Sequence, residues 1–136
     1  MDGNSLNSKV LIIDDERELC ELIEAYLKKE GFHMIYKAYS GEQGIRLCRH
    51  ENPDIIILDL NLPGIDGREV LTYLRHERKK LNPPVIVVST SMAQTDIQFC
   101  MDLNVTKYII KPHLFGGFAE LIQEVEKVFG FENAEQ

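Results

Sequence analysis

The sequence has no tryptophan and only three cysteines among its 136 residues. Cys20, Cys48 and Cys100 lie far apart, and no C-x-x-C pair occurs, which excludes a zinc clip and a thioredoxin-type redox motif. We therefore expect reduced, mostly buried thiols, as is usual for a cytoplasmic protein.

Long hydrophobic runs are also missing. The uninterrupted aliphatic stretches reach four residues, whereas a membrane-spanning helix needs about 20 apolar residues. The first eight residues are polar and contain no apolar segment of the kind found in a signal peptide. We expect no membrane insertion and a cytoplasmic location.

The chain has fewer basic than acidic residues. It contains 15 Lys and Arg and 22 Asp and Glu, which gives a net charge of −7. Surfaces that bind nucleic acid need basic patches, so direct nucleic-acid binding is not expected. Hydrophobic residues make up 44% of the chain, which is enough for one packed core. We expect one domain over residues 9–130, between a disordered N-terminal tail (1–8) and a C-terminal tail (131–136).

Short aliphatic runs without alternation indicate strands that are buried on both faces. They predict five strands, over residues 10–13, 34–36, 55–58, 85–88 and 108–110. Apolar residues at helical spacing follow each strand and predict helices over residues 16–30, 40–51, 68–79, 95–103 and 118–129. This strict alternation predicts a parallel sheet with right-handed crossovers and helices on both faces.

Polar residues stand where the predicted strands end. Asp14 and Asp15 follow the first strand, Asp59 the third, Ser89 the fourth and Lys111 the fifth. Each alone is more often a helix cap, a turn residue or a solvated charge. All five are expected at one edge of a parallel sheet, which is where ligands of open α/β folds bind. Because they meet at this edge, it is improbable that all five are only unrelated helix caps and turn residues.

Three converging carboxylates repel one another unless a cation joins them. Carboxylates, a carbonyl and water suit a hard ion such as Mg²⁺, and no His or Cys stands beside them to favour zinc or copper. Lys111 supplies a second positive charge. A cation and a lysine flanking one carboxylate suit phosphoryl transfer, in which an aspartate can act as the nucleophile.

Together these segments resemble the receiver domain of a two-component response regulator. The matching stretches are LIIDDE (11–16), PDIIILDLNLPGIDG (53–67), PVIVVS (84–89) and YIIKP (108–112). The resemblance extends from residue 9 to residue 129. It implies a flavodoxin-like (βα)5 three-layer sandwich with the parallel strand order 2-1-3-4-5.

The resemblance implies a role for each acidic residue. Asp59 is the expected phosphoacceptor, which takes its phosphoryl group from a sensor histidine kinase or a phosphotransfer protein. Asp14, Asp15, Asp59 and the backbone carbonyl of Asn61 are the expected ligands of Mg²⁺, which Mn²⁺ can replace. Such a module is not an enzyme with a separate product; it catalyses its own phosphorylation and slow dephosphorylation.

The resemblance also implies a switch. Lys111 is expected to pair with the phosphoryl oxygens, Ser89 to hydrogen-bond them and Tyr108 to move inward. The peptide bond before Pro112 is expected to be cis. The output is then a protein-interaction surface on the fourth helix, the fifth strand and the last helix.

Some positions depart from the family pattern. Thr90 stands where a small residue is usual and is expected to restrict access to the phosphoryl group or the movement of Tyr108. Asn61 and Ser91 occupy positions expected to tune hydrolysis. Ser-Thr-Ser at 89–91 resembles stand-alone receivers that pair with phytochrome-type kinases. A homodimer through Phe129 and Phe131 is a further expectation.

Other function classes stay open on the residues alone. A flavin carrier needs a phosphate-cradling loop after the first strand, where this chain has three acidic residues. A phosphatase of the haloacid type has a second aspartate two positions after the first, where this chain has Asn61. A pseudo-receiver would bind partners without being phosphorylated.

Overall fold

The computed structural model describes residues 7–76, 82–111 and 118–130. In chain order the elements are β1 (Lys9–Ile13), α1 (Arg17–Lys29), β2 (Met34–Ala38), α2 (Gly41–Glu51), β3 (Ile55–Leu58), α3 (Gly67–His76), β4 (Val85–Ser89), α4 (Gln94–Asp102), β5 (Lys107–Ile110) and α5 (Ala119–Val128). Every predicted strand and helix is confirmed within a few residues. The last predicted turn of the third helix, residues 77–79, lies outside the described residues.

The five strands form one parallel sheet in the order β2-β1-β3-β4-β5. This order confirms the predicted flavodoxin-like fold. The register places Ile13 opposite both Ala38 and Leu58. Adjacent strands therefore end level with one another, and the residues that follow them meet at one edge.

Two hydrophobic cores sandwich the sheet. One packs α1 and α5 against residues such as Val10, Ile12, Ile57 and Val88. The other packs α2, α3 and α4 against alternate residues of the same strands, among them Leu11. Both faces are covered, which explains why the aliphatic runs show no alternation. No helix within the described ranges has both the length and the apolarity to cross a membrane.

Local sequence signals set the helix ends as predicted. Ser40 caps α2, and its side-chain oxygen accepts a hydrogen bond from the Gln43 backbone N–H at 3.1 Å. Gly31 and Asn104 follow α1 and α4 with φ angles of 100° and 59°, in the left-handed region. Asn52 ends α2 in the same way, with a φ of 48°, although no pattern in the sequence predicted this left-handed residue.

The aromatic residues around α5 pack inward. Phe118 stacks on Tyr26 with ring centroids 4.8 Å apart, and Phe129 lies 5.7 Å from Phe32. Phe129 is thus a partly buried neighbour of the core. Phe131 lies outside the described residues, and the homodimer stays a prediction.

The three cysteines are buried thiols, as predicted, and form no disulfide in the part of the chain that the structure describes. Burial raises the pKa of Cys100 to about 11. These side chains therefore serve as small apolar residues of the core.

Candidate functional site

Backbone pairing delivers two carboxylates to the same edge of the sheet. The Asp14 N–H donates to the Ala38 carbonyl at 3.0 Å, and the Asp59 N–H donates to the Ile13 carbonyl at 2.9 Å. The parallel ladder therefore continues one residue past each strand, and this fixes both aspartates. Both residues are only 3% exposed.

A third carboxylate completes an all-oxygen cluster. Asp15 is exposed, and one carboxylate oxygen from each of Asp14, Asp15 and Asp59 lies within 4.8 Å of the others. The predicted convergence of the three aspartates is confirmed. Oxygen donors at this spacing, with open solvent beside Asp15, fit a hard divalent cation that keeps several waters.

Lys111 lies among the acidic side chains of this edge. Its Nζ atom is 3.0 Å from Asp14, 3.1 Å from Asp59 and 2.9 Å from Glu16. The lysine side chain is 5% exposed, so its charge is compensated by these carboxylates and not by water. One ammonium therefore links the ends of β1 and β3 with the start of α1.

Burial shifts the pKa of the two inner aspartates upward. It raises the pKa of Asp14 to about 6, although the Glu16 N–H at 2.8 Å acts in the opposite direction. Burial also raises the pKa of Asp59. Burial alone would lower the pKa of Lys111, but its contacts with Glu16, Asp14 and Asp59 outweigh that effect and raise it. The lysine stays charged, and burial makes the charged form of both aspartates costly, so a further cation beside them is favoured.

Ser89 is fully buried at the end of β4. Burial raises the pKa of Asp59, and a hydrogen bond between the Ser89 side chain and that carboxylate acts in the opposite direction. The backbone N–H of Ser91 donates to the Ser89 hydroxyl at 3.3 Å. The structure thus brings Ser89 to the acidic cluster, as predicted.

Asn61 and Thr90 face each other at the mouth of the site. The Asn61 side-chain amide donates to the Thr90 hydroxyl at 3.4 Å, and its backbone N–H donates to Asp59 at 3.2 Å. Both side chains are exposed. This long contact crosses from the loop after β3 to the loop after β4, so Thr90 stands beside the entrance.

Tyr108 is partly buried on β5, and its hydroxyl donates to the Ser91 carbonyl at 2.9 Å. The predicted cis bond before Pro112 lies outside the described residues.

Sequence reasoning missed Glu16 as a partner of Lys111. The two residues are 95 positions apart, and the only signal was an acid directly after the Asp pair. It also missed an ion pair between Arg68 on α3 and Asp96 on α4. No local pattern links those two helices.

Gly67 permits the close approach of α3 to the site. A Cβ atom at this position would lie 2.1 Å from the Asp59 carbonyl oxygen. The Gly67 N–H donates to the Leu60 carbonyl at 2.9 Å. Any side chain here would push the start of α3 away from the phosphoacceptor candidate.

Comparison with known proteins shows a family-level match. A family model described as "Response regulator receiver domain" matches residues 10–126. The N-terminal domain of an uncharacterized protein from Wolinella succinogenes is 26% identical, with a TM-score of 0.80 over 95% of this chain and 99% of that one.

The descriptions of two further solved structures name bound ligands. A chain of the CheX–CheY–BeF3–Mg²⁺ complex from Borrelia burgdorferi is 28% identical, with a TM-score of 0.80 over 95% of this chain and 98% of that one. The response regulator protein TrrA from Thermotoga maritima, in complex with Mg²⁺ and BeF, is 28% identical. Its TM-score is 0.75 over 89% of this chain and 98% of that one.

Proposed function

The chain belongs to the response regulator receiver domain family of two-component signalling proteins, and from this membership we propose that Asp59 accepts a phosphoryl group from a sensor histidine kinase or a phosphotransfer protein. The observation that carries the proposal is the contact of Lys111 with both Asp59 and Asp14 at the shared strand edge. A buried carboxylate with a fixed cationic partner is suited to a reaction that depends on positioning and charge neutralisation.

The transfer needs one bond made and one broken. A carboxylate oxygen of Asp59 bonds to phosphorus while the bond from phosphorus to the donor's imidazole nitrogen breaks, and the imidazole retains that electron pair. Asp59 is held for this step by the Asn61 N–H on one oxygen and by Lys111 on the other. From this position the Lys111 ammonium would pair with the phosphoryl oxygens once they are bonded to Asp59.

The acidic cluster is where a metal would bind. Asp14, Asp15, Asp59 and the backbone carbonyl of Asn61 would hold Mg²⁺ or Mn²⁺, and the ion would neutralise charge on the transferred group. The all-oxygen donor set supports this assignment. The Mg²⁺ in the descriptions of the Borrelia and Thermotoga structures supports it as well.

The response would be a change of surface. Ser89 lies beside Asp59, and Tyr108 is tied to the loop that follows Ser89. Movement of these two side chains toward a phosphoryl group would alter the face formed by α4, β5 and α5, where a protein partner would dock. In this role residues 9–130 form a signalling module that catalyses its own phosphorylation and dephosphorylation. The presence of a second protein, CheX, in the Borrelia complex supports a protein partner.

Intact mass after incubation with acetyl phosphate and Mg²⁺ tests the proposal. The wild type should gain one phosphoryl group, about 80 Da, as an aspartyl phosphate. Asp59→Asn should gain none. Asp54→Asn is the matched control, because Asp54 lies exposed at the other end of β3 and should leave labelling intact. Persistent labelling of Asp59→Asn would place the phosphoacceptor elsewhere, and an unlabelled wild type would favour a pseudo-receiver.

A further inference from the structure

A series of polar contacts outside the acidic cluster reaches Ser89 and Tyr108, the two residues of the predicted switch. Its centre is Ser91, in the loop between β4 and α4. The Ser91 hydroxyl donates to the Asp96 carboxylate at 2.5 Å. The Ser91 backbone N–H donates to the Ser89 hydroxyl, and the Ser91 carbonyl accepts from the Tyr108 hydroxyl. One residue thus touches both side chains expected to respond to phosphorylation.

Arg68 anchors this series of contacts from the neighbouring helix. Its Nε atom donates to one oxygen of Asp96 at 2.9 Å, and a terminal nitrogen lies 2.8 Å from the other. Such a two-point contact fixes the orientation of both groups. The Arg68 contact, together with the Ser91 hydroxyl, lowers the pKa of Asp96, so the pair stays ionised at neutral pH. Arg68 also pairs with Asp66 at 3.1 Å, ahead of α3.

The Asp96 carboxylate therefore makes two contacts. It forms an ion pair with Arg68 across the gap between α3 and α4, and it accepts a hydrogen bond from the hydroxyl of Ser91 in the loop. Rotation of this carboxylate would release the Ser91 side chain. Any shift of Ser91 would in turn move the donor to Ser89 and the acceptor for Tyr108, because both are backbone atoms of the same residue.

We propose that Arg68 and Asp96 are positioning residues that act through Ser91 to hold Ser89 at the acidic edge and Tyr108 in its partly buried position, with the tyrosine hydroxyl on the Ser91 carbonyl. The effect on signalling rests on the proposed function, since it concerns the response of the same site to a phosphoryl group. An interaction present in one of two arrangements favours that arrangement by its own free energy. The arrangement held here, with Tyr108 inward, is the one expected after phosphorylation. Loss of the ion pair therefore makes the response harder.

A matched ion pair separates this role from ordinary surface stabilisation. Lys37 and Glu24 lie 2.6 Å apart, with side chains 26% and 18% exposed, against 30% and 20% for Arg68 and Asp96. The Lys37–Glu24 pair joins β2 to α1 and has no contact with Ser91. A purely structural role predicts equal consequences for the two pairs.

The first measurement is the NMR signal of the Tyr108 ring in protein with labelled tyrosine, assigned with Tyr108→Phe and recorded without phosphodonor. Arg68→Ala should shift this signal, Arg68→Lys should shift it less, and Lys37→Ala should leave it in place. The second measurement titrates beryllofluoride with Mg²⁺ and follows the same ring. Arg68→Ala should raise the midpoint by roughly twofold to thirtyfold, the range for residues that modulate coupling.

An unmoved Tyr108 ring in folded Arg68→Ala overturns the proposal, and so does an equal shift in Lys37→Ala. A lower midpoint would show that the pair restrains the response instead of assisting it, and would also overturn the proposal. If Arg68→Ala does not fold, Ser91→Ala must shift the ring, since it removes the hydroxyl link and keeps the ion pair. A wild type that responds neither to beryllofluoride nor to acetyl phosphate refutes only the proposed function. The Tyr108 ring signal recorded without phosphodonor still tests the positioning in that case.

Discussion

The Nζ atom of Lys111 lies 3.1 Å from a carboxylate oxygen of Asp59, although the two residues are 52 positions apart in the chain. Both side chains are almost completely buried. Each charge therefore depends on the other, and the contact ties the end of β5 to the end of β3. Replacement of either residue should affect stability as well as chemistry.

Removal of the Lys111 charge should destabilise the protein. Lys111→Met leaves two buried carboxylates without their cation, and loss of one partner of a buried pair costs about 3 kcal/mol or more. Urea unfolding at neutral pH measures this change. Lys127→Met is the control, because Lys127 is 53% exposed and its pair with Glu124 should contribute less than about 1 kcal/mol. Equal stability of the Lys111 variant and the wild type would contradict the prediction.

Magnesium should stabilise the wild type and not the Asp14→Asn variant. A cation that binds only the folded state raises the melting temperature, and Asp14 is one of its three expected carboxylates. Without Mg²⁺, Asp14→Asn should melt higher than the wild type, because burial disfavours the Asp14 charge in the folded state and Asp59 repels it as well. Thermal unfolding with and without millimolar Mg²⁺ tests both statements. Asp102→Asn, on the exposed surface of α4, should keep the full response to Mg²⁺.

Truncation of Thr90 should speed phosphoryl uptake. Thr90→Ala removes a branched side chain at the mouth of the site and its contact with Asn61. We expect the rate with acetyl phosphate to rise by about threefold, which corresponds to ~0.65 kcal/mol on the barrier. Time-resolved intact mass gives the rate. Thr106→Ala, an exposed threonine just before β5, should have no effect, and an unchanged or slower Thr90→Ala would show that this side chain does not limit access.

A methyl group at position 67 should destabilise the protein, because it displaces the start of α3 from the backbone that follows β3. Gly67→Ala places a Cβ atom 2.1 Å from the Asp59 carbonyl oxygen, which is too close, so α3 must shift. We expect a loss of about 2 kcal/mol or more, as for other overpacked positions. Chemical denaturation measures the loss. Thr72→Ala, an exposed position on the same helix, should change stability by less than about 0.5 kcal/mol.

The cysteines should not react while the protein is folded. Burial raises the pKa of Cys100 to about 11, so at pH 8 only about one thiol in a thousand is ionised, and only the thiolate is nucleophilic. All three side chains are also shielded from solvent. Iodoacetamide at pH 8 should add no label to the folded chain and three labels in urea. Rapid labelling of a folded cysteine would reveal an opening of the core.

The strands and their terminal residues could be predicted because their signals are local. Aliphatic runs such as 55–58 are buried on both faces, and a parallel sheet places all its carboxyl ends at one edge. The meeting of Asp14 with Asp59 followed from these two rules without any side-chain detail. Ser40 and Gly31 were predictable for the same reason, since helix caps act within a few residues.

Contacts between elements were decided only by the tertiary structure. The third carboxylate on Lys111, from Glu16, depends on how the start of α1 approaches the end of β5. The pairing of Arg68 with Asp96 depends on the distance between α3 and α4. Hydrophobic periodicity tells which face of a helix is buried, but not how far apart two helices pack or where long charged side chains meet. The sequence by itself therefore determined the fold and the acidic edge, and packing decided which charges pair there.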